Sequence, residues 1–78
     1  MVSMTPVILT LDAAERVCAE HGWAFEIHPT LYGRTVQVWG DAGYTENSAL
    51  GADTVTRARE AVLAALRGEW MSYKDIGG

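Results

Sequence analysis

Apolar residues recur along this chain with two different periods. From Asp53 to Arg67, Val55, Ala58, Val62, Ala65 and Leu66 return every three or four positions, the spacing of one helix face. Asp53 or Thr54 caps the start of that helix, because a short side-chain oxygen accepts a free amide of the first turn. Gly68 stops it by adopting the left-handed conformation at no steric cost. A second helix is predicted from Thr10 to Gly22. Leu11, Ala14, Val17, Cys18 and His21 form its inner stripe, while Asp12, Glu15, Arg16 and Glu20 face water. Thr10 serves as its cap, with Asp12 and Glu15 offering a competing capping box.

Between the helices the period changes to two. Trp23, Phe25 and Ile27 fall on one side of a strand, and Ala24, Glu26 and His28 on the other. Pro29 is expected to end that run, and Thr30 to Gly33 to connect it to a second strand from Arg34 to Trp39. There Val36 and Val38 face one way, and Thr35, Gln37 and Trp39 the other, so the two runs predict an antiparallel hairpin. Gly40 to Gly43 reads as a turn. Residues 44–50 alternate weakly, with Asn47 and Ser48 pointing to a bulge or an edge. The expected order is α-β-β-(β)-α: an α+β domain with two helices on one face of a small antiparallel sheet. Ahead of it lies an extended lead, residues 1–9, in which Thr5-Pro6 breaks any early helix and Val7-Ile8-Leu9 forms a short strand or a hydrophobic arm. Behind it, residues 69–78 carry Trp70, Met71, Tyr73 and Ile76, too apolar for a solvated tail, so this segment folds back or docks on a partner.

The length of 78 residues allows one domain, residues 1–78, near the lower limit for a single core. Cys18 is alone, which excludes an internal disulfide and points to a reducing, cytoplasmic setting. No run approaches a membrane span, and residues 1–11 read as no signal peptide. The formal net charge is −4, and Lys74 is the sole lysine, which disfavours binding through nucleic-acid phosphates. The acids are spread along the chain rather than gathered in blocks, as in a polyanion mimic.

Catalytic and metal chemistry find little footing. Cys18, His21 and His28 supply three candidate zinc ligands where four in paired spacing are usual, and a buried structural thiol is the better reading of Cys18. The glycines make no phosphate loop, and no two carboxylates are forced together. No enzyme activity, cofactor or metal is expected. The aromatic residues point to a protein interface instead. Trp39 projects from the sheet face opposite the helices, near Glu26 and Gln37, and is either an interface anchor or covered by the chain's own ends. Tyr32 and Tyr44 add aromatic surface at the turns, and Trp70 and Tyr73 in the tail, giving seven candidate partner-binding residues. Ala61, Ala64 and Gly68 form a smooth flank on the last helix, suited to close packing on the first helix or on a second copy.

The element order and the run GADTVTRAREAVLAAL resemble the double-stranded RNA-binding domain, in which a Ser or Thr and then lysines open the last helix. Thr54, Ala58 and Ala61 fit that pattern, whereas Val55 and Thr56 stand where the lysines belong. The resemblance implies the α-β-β-β-α topology over residues 10–67; Arg34, Arg57, Arg59 and Arg67 are the cations left for RNA. A hairpin followed by an alanine-rich helix also resembles HicB-like antitoxin domains. In size, acidity and absence of motifs the chain is similar to the phage-encoded anti-CRISPR inhibitors. That likeness implies a protein partner, such as a CRISPR or other nucleic-acid-handling complex, bound by surface occlusion. The terminal Gly77-Gly78 resembles the end of ubiquitin-like modifiers, whose fold begins with a hairpin rather than a helix.

An indole on an uncovered sheet face favours association, since burial gains roughly 25 cal/mol per Å². A homodimer, or concentration-dependent association through Trp39 or the Trp70–Ile76 tail, is therefore expected. Light scattering behind a sizing column checks this, and a monomer at every accessible concentration contradicts it.

Overall fold

The computed structural model describes residues 6–49 and 53–74. Thr5, Leu50 and Ile76, and with them the ends of the expected lead, third strand and tail and the Gly77-Gly78 pair, lie outside the described residues. The element order is α1 (Leu11–Glu20), β1 (Ala24–Thr30), β2 (Gly33–Trp39), β3 (Tyr44–Ala49) and α2 (Thr54–Leu66). The strands form one antiparallel sheet in the order β1-β2-β3. This is the expected α+β architecture, and the third strand is present. Its register against β2 runs without a bulge from Tyr44 opposite Trp39 to Ala49 opposite Arg34, so of the two readings of Asn47-Ser48 the edge is the one observed, β3 being an outer strand. Pro29 does not end β1. It lies within the strand, opposite Arg34, which an edge strand permits because its outward side needs no ladder donor.

Each helix is bounded by side-chain and glycine chemistry. Thr10 caps α1, its hydroxyl accepting the Ala13 amide at 3.0 Å. Asp53 caps α2, accepting the Thr56 amide at 3.2 Å, and Thr56 also donates its hydroxyl to the same carboxylate. Both helices end in the same Schellman closure. In α1 the Trp23 amide donates to the Cys18 carbonyl (2.8 Å) and the Gly22 amide to Ala19 (3.1 Å); in α2 Glu69 donates to Ala64 (2.9 Å) and Gly68 to Ala65 (3.0 Å). The pivot residues Gly22 and Gly68 have φ of 74° and 75°, the left-handed region that disfavours any side chain.

Both helices lie on the Val36–Val38 face, α1 against β1 and α2, and α2 across β2 and β3. The core is built of Ile8, Ala14, Cys18, Val36, Val38, Ala58, Ala61, Val62 and Ala65. Ala61, on the flank expected to pack on the first helix or on a second copy, is fully buried within the chain, and Val55 of the expected inner stripe is only half-buried. The reason is that α2 meets both the sheet and α1, which spreads its buried arc wider than one stripe. His21 leaves the expected inner stripe of α1: it is exposed and stacks on Trp23, with ring centroids 4.5 Å apart. Ile8 brings the lead into the core while Val7 and Leu9 point outward, so this segment is the hydrophobic arm rather than a strand. A buried hydrogen bond from the Thr45 hydroxyl to the Ala61 carbonyl (2.9 Å) ties β3 to α2.

The Asp53 cap makes stability depend on pH. Its bond from the Thr56 hydroxyl holds the carboxyl below its ordinary 3.8, so the unfolded chain binds the proton more readily. The contribution is complete above 3.8 and is lost as pH falls through the lowered folded value. Asp53→Asn, which keeps a cap, should flatten the acid limb of a melting-temperature profile, whereas Asp53→Ala lowers stability at neutral pH as well. An unchanged acid limb in Asp53→Asn would assign that limb to other groups, such as Glu69, which Arg67 also holds below its ordinary value.

Candidate functional site

Because both helices occupy one face, the other carries, among the described residues, side chains of the strands and of the C-terminal segment. The register orders these side chains in rows across the sheet. Ala24, Trp39 and Tyr44 form the first row, Glu26, Gln37 and Glu46 the second, and His28, Thr35 and Ser48 the third. Strand alternation therefore places Trp39, Glu26 and Gln37 on the expected face.

The first row is aromatic, and the tail completes it. Residues after Gly68 run back along the free edge of β3, where Tyr44 and Met71 exchange backbone hydrogen bonds of 3.0 and 2.7 Å. Trp70 packs on the helix side, edge-on to Trp23 at 5.0 Å. Tyr73 reaches the opposite side and stacks on Trp39 (6.0 Å, 6° between planes) and Tyr44 (6.2 Å, 22°), while its hydroxyl donates to the Gly40 carbonyl. Trp39 and Tyr44 themselves lie 5.3 Å apart and 24° from parallel. Of the two readings of Trp39, cover by the chain's own end is the one observed: the residue is half-buried. Its indole nitrogen is enclosed without a hydrogen-bond partner among the described residues.

This path of the tail depends on two glycines. A Cβ at Gly43 would lie 2.2 Å from the Met71 carbonyl oxygen, and one at Gly40 2.8 Å from the Trp70 ring. Neither backbone-to-backbone nor backbone-to-indole contact tolerates a side chain there.

The second row is polar and open. Glu26 accepts a 2.8 Å contact from His28 Nε2, with both side chains about half exposed. Gln37 donates to Glu46 at 3.4 Å. On the strands, this face carries two carboxylates and neither lysine nor arginine; Arg34 belongs to the Val36–Val38 side.

The structure thus gathers Trp39, Tyr44 and Tyr73 into one cluster, with Glu26 and Gln37 in the adjoining row. Trp70 is not part of that surface, since it supports the tail from the helix side. Tyr32 stands apart at the tip of the β1–β2 hairpin, 77% exposed, beside Leu31 at 94%. Sequence reasoning missed Leu31, Glu46 and the Gly40 carbonyl. Glu46 was legible, because extending the alternation from Tyr44 places it beside Gln37 and Glu26. Leu31 was hidden by counting Thr30 to Gly33 as one loop, whereas Thr30 and Gly33 pair and only Leu31 and Tyr32 turn. The Tyr73–Gly40 contact joins positions far apart in the chain and leaves no local signal.

The metal and thiol candidates are dispersed. Burial, with Glu15 nearby, pushes the Cys18 thiol up to about 11, so it stays protonated at neutral pH. His21 Nδ1 bonds the Val17 carbonyl oxygen (2.9 Å) on α1, and His28 lies on the far side of the sheet. Among the described residues no three His, Cys, Asp or Glu side chains gather as metal ligands, and no helix is long and apolar enough to cross a membrane. Of the four cations named for RNA, Arg57 pairs with Glu60 (3.0 Å), Arg67 pairs with Glu69 (2.6 Å), Arg59 is half-buried and Arg34 is exposed on β2. No family model matches the chain, and neither a curated protein nor a solved structure does.

Proposed function

We propose that this chain is a small, non-enzymatic protein-binding module of the cytoplasm, an inhibitor of the anti-CRISPR kind that occludes a nucleic-acid-handling complex. The observation that carries the reading is the sheet face without helices, where an aromatic cluster adjoins an open polar row. The hairpin tip, at the end of the sheet away from the aromatic row, offers a second apolar surface. Leu31 and Tyr32 are 94% and 77% exposed, and burying a leucine side chain on a partner gains on the order of 1.5–3 kcal/mol. An aromatic centre with a polar rim is the composition of protein interfaces. Self-association through the same face is the form this docking takes when the partner is a second copy.

A second reading has one observation in its favour. The α-β-β-β-α order with both helices on one face is the arrangement of double-stranded RNA-binding domains. It requires retention on double-stranded RNA that weakens steeply with salt.

The docking reading is tested with the wild-type chain and a Leu31→Ser/Tyr32→Ser variant as baits in bacterial lysate. Expression in cells carrying an active CRISPR system is measured alongside. The expected outcome is a specific partner retained by the wild type and reduced tenfold or more in the variant (about 1.4 kcal/mol). Melting temperatures should match, and plasmid interference should be suppressed only by the wild type. Equal retention by the variant and by Trp39→Ala, with undiminished interference, contradicts the reading.

A further inference from the structure

We infer that the open face takes an arginine side chain of its partner, stacked on Tyr73 and forked onto the carboxylate row. This inference rests on the docking reading above and names the chemistry of the partner. Residues two apart on a strand share a face, so the aromatic and carboxylate rows are separated by roughly 6.7 Å. Glu26 and Glu46 sit on the two outer strands, with backbones roughly 9.6 Å apart, and Gln37 lies between them. His28 occupies Oε1 of Glu26, and Gln37 bonds Oε2 of Glu46, which leaves one oxygen of each carboxylate for a further donor. The strand positions of this face supply no cation of their own except a protonated His28. A positive partner group therefore meets unbalanced negative charge at a distance a side chain spans.

The shape of the aromatic row selects among cations. Trp39, Tyr44 and Tyr73 stack within 24° of parallel, with Tyr44 buried and Tyr73 the exposed member, so the row offers one flat ring rather than the walls of a cage. Tyr73, 41% exposed, presents this ring to solvent. A planar guanidinium stacks on such a surface and still directs its fork of N–H groups sideways to carboxylates. A lysine ammonium is a compact charge without a plane, and a methylated ammonium needs rings on several sides. Arginine alone uses both rows at once.

The test uses the full chain, labelled with ¹⁵N, and a short Gly/Ser peptide with one central arginine. Its citrulline and lysine counterparts serve as comparisons at neutral pH. The arginine peptide is expected to shift the Trp39 indole resonance together with the Glu26 and Glu46 amides, and to do so less at high salt. Citrulline should leave these resonances in place, and lysine should bind several-fold more weakly. Glu26→Gln/Glu46→Gln should lose tenfold or more in affinity at an unchanged melting temperature. Equal shifts from the citrulline or lysine peptide, or full binding by the double variant, overturn the inference. If that double variant also retains the lysate partner that Leu31→Ser/Tyr32→Ser loses, the docking module stands and its arginine chemistry fails. Arginine binding without any specific lysate partner supports the site and contradicts the occlusion role.

Discussion

Two helices sharing one side of a three-stranded sheet is the constraint from which the other features follow. The shared side is narrow, and it holds both helices because their facing residues are small: Ala14 and Cys18 on α1, and Ala58, Ala61 and Ala65 on α2. Close approach lets modest side chains exclude water from Val36 and Val38, which are fully buried. A larger residue at Ala61 or Ala14 would push a helix outward, and so short a chain has few other apolar contacts to compensate. Ile8 and Trp70 close the margins of this core from segments outside the regular elements.

The opposite face inherits the consequence. Among the described residues it has no second layer, and its apolar end is closed by the chain's own tail, which adds one backbone bridge to the edge of β3 and lays Tyr73 over Trp39. That closure covers the aromatic row and leaves the Glu26–Gln37–Glu46 row to solvent. A surface with a supported aromatic end and an open charged middle suits docking, because rigid rings lose little conformational freedom on contact while the carboxylates set orientation. The hairpin tip at Leu31 and Tyr32 has no comparable structural duty. Its exposure is the clearest instance of apolar surface that the fold itself does not use.

Local chemistry in the chain was sufficient for much of this. Thr10, Asp53, Gly22 and Gly68 mark helix ends through bonds within one turn, and the alternation from Trp23 to Trp39 sets which side of the sheet each residue takes. The side of Trp39 was therefore legible, and with it the positions of Glu26 and Gln37. What covers Trp39 was not, because the Tyr73–Gly40 and Met71–Tyr44 contacts are non-local and depend on how the chain reverses after Gly68. β3 was underread for a different reason. Its sequence, YTENSA, is polar at positions that still pair, and Thr45 satisfies its buried hydroxyl on the Ala61 carbonyl, a partner supplied by another element. The burial of Ala61 was legible as well, because its small-residue flank fits a helix that meets a second helix beside the sheet.

The tail is a fixed part of the sheet rather than a loose end, and backbone hydrogen exchange tests this most directly. The Met71 amide, bonded to the Tyr44 carbonyl at 2.7 Å, should exchange far more slowly than a free chain and at a rate comparable to the β3 amides. In Gly43→Ala, where the new Cβ would meet the Met71 carbonyl oxygen, that protection should vanish while the amides of Val36 and Val38 keep theirs. A Met71 amide that exchanges at the free-chain rate in the wild-type protein would contradict the account.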